Sequence, residues 1–274
     1  MSLPSVAPIP VVVDSPHSGL EMPPEFGTTA PMAALKTTWD AFVDELWGDA
    51  VAFGATVVTA TFPRAFVDAN RREDDIDETL LAEPWPVALT PTDYTQRGMG
   101  LIRRNALPDV PMYARKLSVA EVQARIAQYY RPYRRALADA IRDVRATCGV
   151  VVHLNGHSMK SRGNAMNIDA GVLRPDVVVS DRHGTTADPA LTEWAAAWFT
   201  ERGLRTQINV PYQGGDLVRT FGAPAEGRHS IQIEFNRALY MDEAQFTRGP
   251  RFDELRTLCR DFVVALGRHA EALT

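Results

Sequence analysis

Two of the six histidines in this 274-residue chain, His17 and His157, share a setting that could do chemistry. Each follows an apolar β-branched run, Val11-Val12-Val13 or Val150-Val151-Val152, and each precedes a serine. A catalytic zinc site needs a few nitrogen or oxygen ligands and an open position for water, and ligands drawn from separate strands can supply them without a compact motif. A lone histidine is more often an ordinary hydrogen-bonded loop residue; the parallel settings of these two favour a metal. Asp40 and Asp44 offer an acidic ligand. On an expected helix, carboxylates four residues apart share a face and repel each other, and a nearby cation relieves that repulsion. Asp40, nearer the helix start, is the preferred ligand, and Asp44 is then a group that orients a histidine.

Glu234 interrupts the apolar run Ser230–Phe235. A carboxylate there either faces solvent by alternation or serves as a general base that takes a proton from water and returns it to a leaving amine. Arg64, Asn70 and Arg71 concentrate guanidinium groups and an amide behind a second strand, and arginine forks match carboxylates bidentately. The competing reading is a surface ion-pair loop with Glu73, Asp74 and Asp75. Arg219, beyond Gly214-Gly215, and Arg237, just after the last strand, are further cations for an anionic substrate, although single residues of this kind are commonly structural.

The elements that must position these groups follow from periodicity. Strands are expected at Pro10–Val13, Ala55–Ala60, Gly149–Leu154, Asp176–Ser180 and Ser230–Phe235, with the third ending at Asn155-Gly156-His157-Ser158. Helices are expected from Thr38 to Phe53, from Ser118 towards Arg145, from Pro189 to Arg202 and from Phe252 to Leu266. Glu121 makes a capping box with Ser118, and Pro132 is a point for a kink. Residues 71–111 show no sustained period, and loops that long are usually functional or mobile. Strands alternating with helices predict an α/β fold, a mostly parallel mixed sheet with helices on both faces. Ligands in such sheets bind outside the strand carboxyl ends.

At 45% hydrophobic and 23% charged residues the composition is that of an ordinary globular protein. No compositional seam or repeat divides the chain, so one domain over 1–274 is expected. The formal charge of -5 argues against a dedicated nucleic-acid binder. The start lacks a signal-peptide pattern and no apolar stretch is long enough to span a bilayer, which makes a cytoplasmic location the expectation. Cys148 and Cys259 form no ligand-like pair. No Walker loop or G-x-G-x-x-G stands at a strand–helix junction, so ATP and NAD are not expected.

Pro16-His17-Ser18-Gly19, Asp40 to Asp44, Arg64 to Arg71, Gly156-His157-Ser158, Tyr212-Gln213-Gly214-Gly215 and Ile233-Glu234 through Glu243 occur in an order that resembles the N-formylglutamate amidohydrolase family. The resemblance implies a zinc-carboxypeptidase-like (phosphorylase/hydrolase-like) α/β fold. It implies Zn2+ or a similar divalent metal held by His17, an acidic residue and His157, with Glu234 as the acid–base residue. Asn70 and Arg71 would hold the carboxylate of a small N-acylated amino acid such as N-formylglutamate. Two alternatives remain. Ser158, Asp181 and His229 stand in the order of a serine hydrolase triad, with Lys160 where a nucleophile elbow needs glycine; and the crevice could bind an acidic metabolite without turning it over.

Overall fold

The structure is a computed structural model and describes residues 1–273. Six strands form one sheet: β1 Val11–Ser15, β2 Thr56–Thr59, β3 Val151–Met159, β4 Val177–Ser180, β5 Thr206–Ile208 and β6 Arg228–Asn236. Their spatial order is β2-β1-β3-β6-β4-β5. The β1/β2, β1/β3, β3/β6 and β4/β5 pairs are parallel, and β4 runs antiparallel to β6, so the sheet is mixed and mostly parallel. Fully buried strands have no solvent face to mark with polar residues, which is why β1 and β4 each open on an unbroken run of three valines.

The two central strands differ in character from one face to the other. On β3, Val152, Leu154 and Gly156 alternate with His153, Asn155 and His157. The latter three are in register with Ser230, Gln232 and Glu234 on β6, and Asn155 also with Asp14 on β1. Successive side chains point to opposite sides and register partners in a parallel pair share a side. One face of the sheet centre is therefore polar and the other apolar.

The apolar face is covered by α1 (Val43–Gly48), α4 (Pro189–Thr200) and α6 (Phe252–Glu271). Trp47 stacks on Phe235 at 5.6 Å, Phe199 meets Phe235 at 5.8 Å, and Phe199 stacks on Phe262 at 4.6 Å. Each of these buried phenylalanines contributes about 1.5–3 kcal/mol by leaving water. On the polar face α5 (Asp216–Phe221) brings Phe221 edge-on to His153 at 5.8 Å.

The structure departs from the expected boundaries for physical reasons. Strand β3 does not stop at Leu154: it runs through Asn155-Gly156-His157-Ser158 to Met159. Gly156 is a close-approach residue rather than a breaker, because a Cβ there would lie 2.7 Å from Trp47 Nε1 and 3.2 Å from the Asp14 carbonyl oxygen. Gly156→Ala should consequently destabilise the fold by roughly 1–3 kcal/mol through overpacking, read as a lowered denaturation midpoint; an unchanged midpoint would mean that Trp47 does not bear on this position. The first helix is also shorter than expected. Phe42 has φ 62°, a left-handed conformation, so Asp40 precedes α1 and does not share a helical face with Asp44. Thr38, the expected start of that helix, lies outside it and donates to the Leu35 carbonyl. The Ser118–Glu121 capping box is present and starts α2 (Val119–Arg125), which passes through a π-helical turn, Ile126–Tyr130, into α3 (Arg131–Cys148). Pro132, lacking an N–H, lies just past that widened turn.

Contacts group the chain into two compact units. Residues 1–15, 40–59 and 136–274 form one and contain the whole six-stranded sheet. Residues 16–39 and 60–135 form the other, which is built from loops and short elements. Loop carbonyls buried in that second unit need donors. Arg125, itself buried, supplies them: it donates to the Phe66 and Phe26 carbonyls, each at 3.1 Å, and to the Tyr113 hydroxyl at 2.6 Å. Among the described residues, no helix is long and apolar enough to cross a membrane.

Candidate active site

His157 lies near the carboxyl end of β3, and its two ring nitrogens face different partners. Nε2 is 2.8 Å from Asn155 Oδ1, and Nδ1 is 3.0 Å from Asp40 Oδ2. The Asn155 amide is oriented by its other end, since Nδ2 donates to Asp14 Oδ1 at 2.7 Å. With the amide oxygen facing Nε2, the His157 proton belongs on Nε2. Nδ1 and the Asp40 carboxylate oxygen, 3.0 Å apart, then have a cation to share, a proton or a metal ion. Asp40 is fixed in that position by Arg237, whose Nη2 donates to Oδ1 at 3.0 Å while its Nε donates to Ser158 Oγ at 3.1 Å. Asp40, His157 and Arg237 are all buried.

His17 stands two residues beyond the end of β1, in a loop pressed against backbone. A Cβ at Gly19 would lie 2.2 Å from the Thr61 carbonyl carbon, so only glycine permits that approach. His17 Nε2 meets Asp68 Oδ1 at 2.7 Å. Asp68 also receives a fork from Arg64, at 3.1 and 2.7 Å, and the Asn70 backbone N–H at 3.0 Å. Burial opposes charge on Asp68, but Arg64, His17 and Arg71 outweigh it and hold the carboxyl well below its ordinary range. An ionised Asp68 accepts only, so His17 donates to it through Nε2. Asp68, which holds His17 in place, is a group to which the sequence motifs assign no role. The Arg64–Asp68 spacing of four residues was its one local sign.

One ligand atom from each of His17, Asp40 and His157 lies within 4.8 Å of the others, and all three residues are buried. Two imidazoles, in the neutral form in which they would bind a metal, and a carboxylate make a donor set of the type that binds zinc and similar borderline ions. A carboxylate behind one histidine and an amide behind the other match the way metal-bound imidazoles are oriented. The residues present therefore fit the ion that the sequence implied.

Glu234 is buried on β6 in register with His157, and Gln232 Nε2 donates to its Oε1 at 3.0 Å. Arg71 is held by its own neighbourhood: Nε donates to the Met99 carbonyl, Nη1 to the Asn70 carbonyl, both at 3.0 Å, and the guanidinium carbon sits 3.9 Å from the Tyr94 ring centroid. Asn70 is buried beside it in sequence. Arg64 gives its fork to Asp68, Arg237 bridges Asp40 and Ser158, and Arg219 forks onto Asp216 Oδ1 on the outer part of α5. Asp44 has Glu45 and Arg248 as its charged neighbours, and burial first of all raises its pKa.

The serine hydrolase alternative fails on geometry. Ser158 is in register with Phe235, whereas His229 is in register with Val152, six residues or about 20 Å back along the strands. Ser158 Oγ accepts from Arg237, His229 Nδ1 accepts from the Asp188 N–H, and Asp181 is held by Asn209, Gly184 and Thr192. No hydrogen-bonded triad can form from them.

Known proteins share this arrangement of the chain. A sequence profile of the N-formylglutamate amidohydrolase family matches residues 9–241. N-formylglutamate deformylase of Pseudomonas aeruginosa is 27% identical over 265 residues, covering 94% of this chain and 92% of that protein. N-formylglutamate deformylase of Pseudomonas putida is 26% identical, covering 86% and 84%. The crystal structure of N-formylglutamate amidohydrolase from Ralstonia eutropha JMP134 superposes with a TM-score of 0.94 at 40% identity, over 99% of this chain and 97% of that one. A gene product of Agrobacterium tumefaciens, 21% identical with a TM-score of 0.63 over 97% and 92% of the two chains, shares the fold. On these matches the chain belongs to the N-formylglutamate amidohydrolase family.

Proposed function

We propose that this protein hydrolyses the amide bond of a small N-acyl amino acid, N-formylglutamate first among them, with the aid of a divalent metal ion. The observation that carries the reading is the convergence of His17, Asp40 and His157, in which His157 Nδ1 is held 3.0 Å from Asp40 Oδ2. The names of the relatives supply the substrate class. When bound there, a zinc or similar ion supplies Lewis acidity to an acyl carbonyl and acidifies water.

The protein's own residues do the rest. Glu234 takes a proton from the water whose oxygen bonds to the acyl carbon. The C–N bond then breaks, and Glu234 returns the proton to the departing nitrogen, leaving formate and the free amino acid when the acyl group is formyl. Arg71, assisted by Asn70, takes the substrate α-carboxylate in its fork. Its clamp by two carbonyls and the Tyr94 ring supports that role, because a fixed guanidinium orients as well as attracts.

The metal-loaded enzyme should release formate and glutamate from N-formylglutamate faster than it cleaves N-acetyl- or N-carbamoylglutamate. Arg71→Met should lower kcat/KM by roughly 100-fold for the free acid and far less for its α-amide, which never made the charged contact. No cleavage of any of the three acyl compounds would overturn the activity. Equal losses for acid and amide would remove Arg71 from the carboxylate.

A further inference from the structure

One row behind His157 and Glu234 lies a pair of buried amides in the same register, Asn155 on β3 and Gln232 on β6. Each makes one bond forward into the candidate site and one bond that fixes which way its amide points. Asn155 donates through Nδ2 to Asp14 at 2.7 Å, so its oxygen accepts from His157 Nε2 at 2.8 Å. Gln232 accepts at Oε1 from the Gly215 N–H at 2.9 Å, so its nitrogen donates to Glu234 Oε1 at 3.0 Å. The same side-chain chemistry is thus presented in opposite senses, an acceptor to the histidine and a donor to the glutamate.

A further row back holds the anchor of the first amide. His153 Nε2 meets Asp14 Oδ1 at 2.8 Å, and His153 Nδ1 meets Ser230 Oγ at 2.7 Å. His153 and Ser230 are themselves register partners. The anchor of the second amide is the backbone of the Gly214-Gly215 segment. That segment is tied in turn to the loop after β4, where Arg182 Nη1 donates to the Gly214 carbonyl at 2.9 Å.

We infer that Asn155 and Gln232 are positioning residues that divide the work of the site: Asn155 fixes His157 as the Nε2–H tautomer with Nδ1 as its metal-binding atom, and Gln232 aims the Glu234 carboxylate. The inference rests on the proposed metal-dependent hydrolysis. Its distinguishing mark is that the two amides act on different observables although they sit side by side in one register row. A merely structural pair, packed together in the same buried layer, would change both observables together or neither.

The test measures zinc affinity by chelator competition, steady-state kinetics, and long-range 15N–1H correlations of the imidazoles in the zinc-loaded protein. The parent should show His157 bound through Nδ1 with its proton on Nε2, a reading that requires no variant to fold. Asn155→Leu, confirmed as folded by circular dichroism, should bind zinc about 10- to 100-fold more weakly. Gln232→Met should keep zinc affinity within about twofold while kcat falls by about 10- to 100-fold and KM changes little. Coordination of His157 through Nε2, parental zinc affinity in Asn155→Leu, or parental kcat in Gln232→Met would each overturn the division of roles. A parent that binds no zinc at all would instead overturn the metal reading, and this inference with it.

Discussion

Glu234→Gln should lose roughly 10²- to 10⁴-fold in kcat while keeping its metal and its fold, the range that a positioned general acid–base group contributes. The substitution preserves size and an oxygen to accept from Gln232, so the bond at 3.0 Å can survive. What it removes is the ability to hold a proton between the attack of water and the departure of the amine. Because that proton moves only during the reaction, substrate affinity should change far less than turnover. The measurements are zinc content, substrate binding by calorimetry and kcat, after circular dichroism has shown a parental fold. A variant with near-parental kcat would exclude Glu234 as the base. One that lost zinc would make Glu234 a candidate ligand instead.

Stripping the metal with a chelator should take turnover to background, and added zinc should restore it. In the stripped protein a proton takes the ion's place between His157 Nδ1 and Asp40 Oδ2, 3.0 Å apart, and Asn155 and Arg237 still hold the two groups. The site is built into the fold by those hydrogen bonds, so the stripped protein should remain folded and re-bind metal. Zinc at about 100 times its dissociation constant should stabilise the native state by about 2.7 kcal/mol, seen as a raised melting temperature. Elemental analysis of fully active protein that holds no divalent metal would sink the proposal. A melting temperature indifferent to zinc would remove His17, Asp40 and His157 as a metal site.

The elements that position these groups were largely legible, because buried strands leave continuous β-branched runs and helices leave caps such as Ser118 and Glu121. The middle of β3 was not. His153, Asn155 and His157 fall at alternate positions, the signature of a strand with one polar face, but the glycine between the last two reads locally as a stop. The packing of Trp47 and of the Asp14 carbonyl explains why glycine belongs inside the strand. That Asp40, and not Asp44, meets His157 likewise depends on a backbone feature, the left-handed Phe42, for which phenylalanine gives no local warning. Asp68 escaped notice because its partner His17 is 51 residues away, and a carboxylate in a charged loop has many bland explanations. Gln232 and Asp14 escaped for a related reason: an amide or acid becomes informative only when register shows what it touches.

Arg71 arrives at any encounter with an anion already immobilised. Free arginine side chains carry about 2 kcal/mol of rotamer entropy, which an ordinary surface arginine surrenders on forming a bidentate pair. Here the Met99 and Asn70 carbonyls and the Tyr94 ring have removed that freedom during folding. In the proposed role of Arg71 the ordering penalty is moved out of the binding equilibrium and into the stability of residues 60–135, so the loop-rich part of the chain would carry a thermodynamic load that its small share of regular structure conceals.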